Sequence, residues 1–392
     1  MVASDVRSEG GAQAASVGAA AELVSVPFFD LGPTHSALKE ELLEGIGALI
    51  DSGAFTNGSD VGVFEAAFAD YCGAEHCVGV ASGLDALRLG LIAAGVGPED
   101  EVIVPAYTFA ATLEGVVQAG AVPVLVDIGD LDYGIAPDAV EAAITDRTRA
   151  VLAVHLYGQM ADVGSLADIA DAADVLLIED ACQAHGARRN GTRSGAAGFA
   201  AAFSFYPSKN LGAIGDAGAL VTGDARLAES VGALREHGQR RKYDHELSGY
   251  TARLDTLQAL VLLRKLELLD RWNEERREAA AYYYEALAGV GDLRLPQVAP
   301  GSEPVWHLYV VRTAAPERLG DSLRRRGIGS GRHYPTPLHL LTAFAPLGYA
   351  VGNFPVSETL AAEVLSLPLY PGIGEEQLER VVEAVRAYFA GG

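Results

Sequence analysis

The stretch CVGVASGLDALRLGLIAAGVGPEDEVIVPAYTFAATLEGVVQAGAVPVLVD, residues 77–127, decides the fold. Within it, short apolar runs alternate with runs of helical periodicity; the apolar runs are 77–82, 101–106 and 122–127, and the helical runs are 84–95 and 108–120. The apolar runs are apolar throughout, which is typical of strands that are covered on both faces. The stretch therefore predicts the α/β class with a mainly parallel sheet.

The same alternation continues as far as residue 223. Further strands are predicted at 149–156, 175–180, 201–205 and 219–223, and further helices at 139–144 and 165–173. In open sheets of this kind, ligands bind beyond the carboxyl ends of the strands. The residues at those ends are therefore the first candidates for chemistry.

The pattern changes after residue 252. Residues 255–288 form one long amphipathic helical pattern, which predicts a helix that connects two domains. A strand at 304–313 and helices at 317–327 and 375–390 then predict a smaller α+β unit. The expected organisation of the 392 residues is a flexible tail at 1–25, a large domain with an N-terminal helical segment at 26–252, and the connecting helix with a small domain at 253–392.

Composition limits the partners of the protein. Its net charge of −23 argues against nucleic acid or an anionic membrane as a partner, because both need a basic footprint. No apolar run reaches the roughly 18 residues of a membrane span, and the first 25 residues lack the apolar core of a signal peptide, so a cytoplasmic protein is expected. The three cysteines lack CxxC spacing, which predicts neither a disulfide framework nor a metal site.

Lysine is rare in this chain, with four lysines against 25 arginines. Lys39 and Lys265 stand beside acids in helical patterns and are expected to be solvated. Lys209, in FSFYPSKNLGAIGDAG at 203–218, instead follows a predicted strand and precedes a glycine-rich turn. A lysine can lose its proton and attack a carbonyl carbon, which arginine cannot do. Lys209 is therefore either a Schiff-base residue or an ordinary exposed lysine.

Asp180 ends the apolar run VLLIED at 175–180. An ionised carboxylate at this place is costly unless a cation meets it. The protonated ring nitrogen of pyridoxal phosphate (PLP) would be such a cation. The alternative is that Asp180 caps the next helix.

Three small residues and one aromatic residue are candidates for holding the rest of such a cofactor. Ser82 and Gly83 lie between a strand and a helix, where backbone N–H groups can bind phosphate. Ser204 could add a hydroxyl donor. Phe109 could lie flat against a cofactor ring, or it could belong to the core.

The segment LREHGQRRKYDH, residues 234–245, concentrates positive charge in an acidic protein. Arg240 and Lys242 are its candidates for neutralising a diphosphate. The alternative is a solvated basic loop.

From Val26 onward the chain resembles the DegT/DnrJ/EryC1/StrS family of PLP-dependent sugar aminotransferases. The motifs that carry the resemblance are PFFDLGP, ASGLDAL, EVIVPAYTFAAT, GAVPVLVDI, RAVLAVHLYGQMADV, IEDACQAHGA, AAFSFYPSKNLGAIGDAGALVT, LREHGQRRKYDH, GYTARLDTLQA and HYPTPLHL. The resemblance implies an aspartate-aminotransferase-like PLP fold, fold type I, and a homodimer with active sites at the subunit interface.

The resemblance also implies a role for each candidate residue. Lys209 holds PLP as a Schiff base, Asp180 pairs with the ring nitrogen and Gln183 reaches the ring hydroxyl. Phe109 stacks on the ring, while the phosphate is held by Ser82, Gly83 and Ser204. Relatives usually read GYNSRLD, with the asparagine lent to the phosphate of the neighbouring subunit; here Thr251 and Ala252 stand in GYTARLD, which puts that contact in doubt.

Within the family, the chain looks most like the branch that acts on nucleotide-linked 3-keto-6-deoxyhexoses. The expected reaction moves an amino group from glutamate, by way of pyridoxamine phosphate, to a dTDP-linked keto-sugar and gives a 3-amino-3,6-dideoxy sugar for natural-product biosynthesis. Arg240, Lys242, His333 and Tyr334 are expected to face the substrate. The alternatives are amination at C4, a cyclitol aminotransferase, and a PLP-binding regulator with little activity.

Overall fold

The computed structural model describes residues 25–391. The predicted tail therefore lies, apart from Ser25, outside the described residues. The first nine strands along the chain are β1 His76–Val80, β2 Glu101–Pro105, β3 Val122–Val126, β4 Thr148–Val154, β5 Leu176–Asp180, β6 Arg188–Arg189, β7 Thr192–Arg193, β8 Ala200–Ser204 and β9 Gly218–Thr222. Seven of them form one central sheet in the order β1-β9-β8-β5-β4-β2-β3.

The central sheet is mainly parallel, as predicted. The pairs from β3 through β2, β4 and β5 to β8 are parallel, whereas β9 runs antiparallel to both β8 and β1. Parallel strands need a long crossover, usually through a helix. No helix separates β8 from β9, and the chain turns straight back so that Ser204 pairs with Gly218. This return places the loop that carries Lys209 at the end of the sheet.

Helices cover both faces of the sheet. The first eight α-helices along the described chain are α1 Gly32–Ser36, α2 Lys39–Ser52, α3 Ser59–Cys72, α4 Gly83–Ala93, α5 Ala110–Ala119, α6 Pro137–Ala143, α7 Val163–Ala173 and α8 Ala225–Arg235. Successive residues of a strand point to opposite faces. In β2, Val102 and Val104 belong to one apolar core while Ile103 belongs to another, and all three side chains are buried. Burial on both faces explains why the strands read as unbroken apolar runs.

The predicted single helix at 255–288 is wrong. The chain instead forms α9 Thr256–Leu266 and α10 Leu269–Leu287, with a break at 267–268. The start of α10 shares a core with α9, since Leu269 packs in the same cluster as Leu262, and the later part of α10 enters a second core. Leu262 of α9 packs in the cluster of Phe64, whereas Tyr283 of α10 packs in that of Tyr309. The periodicity identified both helices, but the break carries no proline or glycine to mark it.

The rest of the chain adds the remaining strands and helices. These elements, with the hairpin at 239–245 that precedes α9, are β10 Gln239–Arg241, β11 Asp244–His245, β12 Ser302–Glu303, β13 Tyr309–Arg312, α11 Pro316–Arg325, α12 Pro355–Glu363, β14 Val364–Leu367 and α13 Glu375–Phe389. Short 3-10 turns occur at Leu156–Gly158, Leu338–Leu340 and Thr342–Leu347. Strands β13 and β14 pair antiparallel, and Val26 pairs with Ile328. None of the helices in residues 25–391 is both long and apolar enough to cross a membrane.

Candidate active site

Lys209 lies in the loop between β8 and β9, at the edge of the sheet where the parallel strands end. Its backbone N–H donates to the carbonyl oxygen of Tyr206 at 2.8 Å. A Cβ on Gly212 would lie 2.2 Å from the carbonyl oxygen of Pro207, so the tight turn after Lys209 requires glycine. Burial lowers the pKa of Lys209, although nearby Cys182 and Asp180 act in the opposite direction. A larger fraction of this amine is therefore neutral, and so nucleophilic, than for an ordinary lysine.

Asp180 occupies the last position of β5, and its side chain is 6% exposed. Thr112 donates a hydrogen bond from Oγ1 to Oδ2 of Asp180 at 2.7 Å, and the N–H of Cys182 donates to Oδ1 at 3.2 Å. No α-helix begins after Asp180, since the next one starts at Ala225. The helix-cap alternative is thus wrong, and Asp180 is a buried carboxylate close to the Lys209 amine.

Ser82 and Gly83 form the start of α4. Ser82 is the N-cap residue, and its Oγ accepts from the N–H of Asp85 at 3.0 Å. A Cβ on Gly83 would lie 2.6 Å from Sγ of Cys182 and 2.8 Å from Cβ of Ser204. The structure therefore brings Ser82, Gly83 and Ser204 together at a helix N-terminus, where backbone N–H groups favour an anion.

Gln183 and Phe109 both adjoin Tyr334. The side chain of Gln183 is buried; its Oε1 accepts from the N–H of Tyr157 at 2.8 Å, and its Nε2 donates to the hydroxyl of Tyr334 at 3.1 Å. The ring of Phe109 lies 5.6 Å from that of Tyr334. Phe109 is 53% exposed, so it is not a core residue and its ring is free to contact a ligand.

His333 stands next to Tyr334 in the loop before the 3-10 turn at Leu338–Leu340. Its Nδ1 lies 2.8 Å from Oγ of Ser366, and its ring stacks on Phe28 at 5.4 Å. Burial, with a smaller effect from the charge of Lys209, lowers the pKa of His333 to about 4. His333 is consequently neutral at physiological pH and can hydrogen-bond a ligand without adding charge.

Within one chain, Arg240, Lys242 and Thr251 do not join this group. Arg240 pairs with Glu229 at 2.6 Å and with Glu246 at 3.1 Å. The hairpin that carries Arg240 and Lys242 lines a surface cavity of about 400 Å³ to which Lys209 does not contribute. Thr251 is exposed and hydrogen-bonds His237 at 3.2 Å.

Sequence reasoning missed several polar residues under the Lys209 loop. Asn210 is buried and donates to Oδ1 of Asn273 at 2.9 Å and to the carbonyl of Val305 at 2.8 Å, while its own Oδ1 lies 3.2 Å from Nδ1 of His307. Burial, and then the charge of Lys209, lowers the pKa of His307 well below its usual value. Asn210 could have been identified as a site residue because it follows Lys209 directly in the sequence. No sequence feature of that kind marks His307 or Thr112.

The side chains present fit PLP. The buried carboxylate of Asp180 suits a protonated ring nitrogen, and the amine of Lys209 suits an aldehyde. The N-terminus of α4 suits a phosphate, and the close contacts around Gly83 leave no room there for a larger residue.

Comparison with known proteins agrees with this fit. The model of the DegT/DnrJ/EryC1/StrS aminotransferase family matches residues 36–386. The chain is 47% identical over 368 residues to dTDP-3-amino-3,4,6-trideoxy-alpha-D-glucose transaminase of Streptomyces venezuelae, covering 94% of this chain and 97% of that one.

Two solved structures are similar. S. venezuelae DesV in complex with a ketimine intermediate superposes with a TM-score of 0.91 at 47% identity, covering 93% of this chain and 98% of that chain. The Bacillus subtilis protein NtdA with bound cofactor PMP gives a TM-score of 0.86 at 31% identity, covering 94% and 86%. The predicted aminotransferase fold is confirmed.

Proposed function

Because the chain belongs to the DegT/DnrJ/EryC1/StrS aminotransferase family, we propose that it uses PLP to move an amino group from glutamate to C3 of a dTDP-linked 3-keto-6-deoxyhexose. The product would be a 3-amino-3,6-dideoxy sugar. The observation that carries the proposal is the placement of the Lys209 amine beside the buried Asp180 carboxylate, next to a helix N-terminus suited to phosphate. The C3 position is supported by the name of the 47% identical transaminase.

In this proposal the residues of one chain hold most of the cofactor. Lys209 binds its aldehyde carbon, Asp180 its ring nitrogen and Gln183 its ring hydroxyl. Phe109 covers the ring, and the phosphate is bound by Ser82, Gly83 and Ser204. When bound, PLP supplies an electron sink that allows the amino group to be exchanged between carbon atoms.

Lys209 has a second task once an incoming amine releases it. An amine whose pKa is lowered by burial gives up its proton more readily than an ordinary lysine, which suits it to a general acid-base role. Lys209 is the group we assign to moving the proton between cofactor and substrate carbons. The hydrogen bond from Thr112 keeps the negative charge of Asp180 fixed within the same site.

We assign the substrate-binding side of the site to Tyr334, whose ring lies 5.6 Å from that of Phe109, and to His333, whose ring lies 5.7 Å from that of Tyr334. We assign Arg240 and Lys242 to the diphosphate of the nucleotide, and Thr251 to the cofactor phosphate, from a second copy of the chain. The proposed homodimer is supported by large apolar side chains that remain exposed in the N-terminal helical segment; these are Leu43, Ile50, Phe55 and Val63.

The cofactor role is tested by absorbance and by reduction with borohydride. Protein loaded with PLP should absorb as a Schiff base, and reduction should fix the label to the peptide that contains Lys209. Lys209→Ala should abolish the fixed label, whereas Lys39→Ala, at an exposed lysine, should keep it. Glutamate alone should convert the loaded protein to its aminated form. Protein that takes up no PLP would contradict the proposal.

The substrate is tested in the reverse direction. The loaded enzyme is incubated with 2-oxoglutarate and either a dTDP-3-amino or a dTDP-4-amino 6-deoxyhexose, and glutamate and keto-sugar are followed by mass spectrometry. The 3-amino sugar should be consumed. Exclusive consumption of the 4-amino sugar would move the chemistry to C4, and consumption of neither would argue against a nucleotide-sugar substrate.

A further inference from the structure

Lys265 was expected to be solvated, but the structure buries it. The side chain, in the last turn of α9, is 2% exposed. Among residues 25–391, no carboxylate lies within ion-pair distance of its amine. Its Nζ donates to the carbonyl oxygen of Gly212 at 2.6 Å and lies 3.0 Å from Nε2 of His35. A buried ammonium without a counter-ion is costly, so the position calls for an explanation.

The bond to His35 connects the amine to α1. Nδ1 of His35 lies 2.7 Å from the carbonyl oxygen of Leu31, to which only a protonated nitrogen can donate. Nε2 is therefore the acceptor for Lys265. Burial lowers the pKa of His35, which keeps the ring neutral and this arrangement in place.

The bond to Gly212 reaches the loop of Lys209. Gly212 is three residues beyond Lys209, and the following N–H, that of Ala213, closes the loop by donating to the carbonyl of Phe205 at 2.8 Å. Lys265, Gly212 and Lys209 also line one small cavity of about 10 Å³, roughly the room for a single water. Lys265 thus joins this loop to both α9 and α1, beside a second bond from α9 in which Oε1 of Gln258 accepts from the N–H of Ile214 at 3.0 Å.

Protonation keeps the amine a donor at neutral pH. Burial lowers the pKa of Lys265 to about 8, so most molecules carry the ammonium form at pH 7. The other charged groups around the same cavity are Asp30, Lys209 and Arg276. Arg276 donates to the carbonyls of Trp306, His307 and Leu369, so it does not compete for Gly212.

We propose that Lys265 is a positioning residue for Lys209: by bonding Gly212 and His35 it fixes the loop that carries Lys209 and limits the exposure of this half-buried side chain. The proposal deepens the proposed function and rests on it only in that Lys209 is the reactive amine. Without the Lys265 bond, the Gly212 carbonyl loses a charged donor and the loop admits water. Since burial is what lowers the pKa of Lys209, hydration should raise that pKa toward the ordinary lysine value.

The test uses the full chain without PLP and exploits the presence of only four lysines. Trace acetylation from about pH 6 to 10, read by peptide mass spectrometry, gives the titration midpoint of each lysine. In Lys265→Met the midpoint of Lys209 should rise by about one unit, which is a tenfold smaller neutral fraction at pH 7. Amide exchange of Ala213 should become faster. Lys39→Met, at an exposed lysine, should leave both readouts unchanged.

Two further variants complete the test. Lys265→Arg retains a cationic donor and should restore the slow exchange of Ala213. His35→Leu removes the second partner of Lys265 and should raise the Lys209 midpoint by a smaller amount, which keeps the test available if Lys265→Met does not fold. If Lys265→Met folds and keeps the wild-type titration midpoint of Lys209 and the wild-type amide exchange of Ala213, the proposal is overturned. If Lys265→Met does not fold, the same result in His35→Leu overturns it. Both readouts are independent of PLP, so failure of the aminotransferase assays would be seen separately.

Discussion

Thr112 donates a hydrogen bond of 2.7 Å to Oδ2 of Asp180, and both side chains are buried. Thr112 belongs to the first turn of α5 and Asp180 to the end of β5, so the bond fixes the carboxylate against the helix that connects β2 to β3. The hydroxyl of Thr112 also lies 3.1 Å from that of Thr108. A chain of hydroxyl groups thus orients the charge that we assign to the cofactor ring.

Thr112→Val should weaken PLP binding by at least about tenfold. A hydrogen bond to a charged group contributes about 1.5–3 kcal/mol, and valine keeps the shape of threonine while removing the donor. Titration of the apoprotein with PLP, followed by absorbance, measures the effect. Thr112→Ser keeps the hydroxyl and should bind nearly as well as the wild type; equal affinities for all three proteins would show that the bond does not position Asp180.

Gly83→Ala should impair the phosphate site. The added methyl group would meet Cys182 and Ser204 at less than 3 Å, so α4 must move away from the loop that bears Lys209. We expect weaker PLP binding and a lower melting temperature. Gly62→Ala in α3 is the matched control, because a Cβ there meets nothing within 4 Å and should stabilise the protein by about 0.5–1 kcal/mol. Equal behaviour of the two variants would contradict the crowding at Gly83.

His185 should make stability fall on acidification. Burial, and then the charge of Lys209, lowers the pKa of His185 to about 3, whereas unfolded histidine titrates near 6.5. Between these values the unfolded chain binds the additional proton, so stability is present above about pH 6.5 and is lost as the pH falls toward about 3. The slope from this residue is at most about 1.4 kcal/mol per pH unit.

Urea unfolding at pH 7 and pH 5 measures this loss. His185→Phe should reduce the difference between the two midpoints, since phenylalanine takes up no proton and the ring already packs 5.4 Å from Phe203. His245→Phe, at an exposed position of the hairpin, serves as the control. If stability falls by the same amount between pH 7 and pH 5 in the wild type and in His185→Phe, His185 is not held neutral in the folded protein.

The sequence pattern was sufficient to predict the strands of the sheet, because a strand that is buried on both faces needs apolar residues at consecutive positions. The runs ending at Val80, Pro105 and Asp180 are strands, and the polar residues after them meet at one edge. The position of Lys209 followed from the same reasoning, since its loop continues from β8. Those residues could be found because their place depends on local chain order.

Other parts of the site depend on contacts between distant segments. The break between α9 and α10 falls at 267–268, where no proline or glycine interrupts the helical periodicity, so the sequence does not mark it. Lys265 looked solvated because it stands among acids, yet its amine turns inward to Gly212, 53 residues earlier. Thr112 reaches Asp180 across 68 residues. Such pairs have no local signature, so the sequence alone left them out.

Thr251→Asn should tighten PLP binding if a second copy of the chain contributes this position to the cofactor phosphate. The hydroxyl of Thr251 lies 3.2 Å from Nε2 of His237, whereas an asparagine amide is longer and carries two N–H donors. PLP titration of the protein should show an affinity increase of about tenfold or less, as expected for one hydrogen bond of about 0.5–1.5 kcal/mol. Ala252→Ser alone should have no such effect, because Ala252 is buried. An unchanged or weaker affinity in Thr251→Asn would place the phosphate beyond the reach of residue 251.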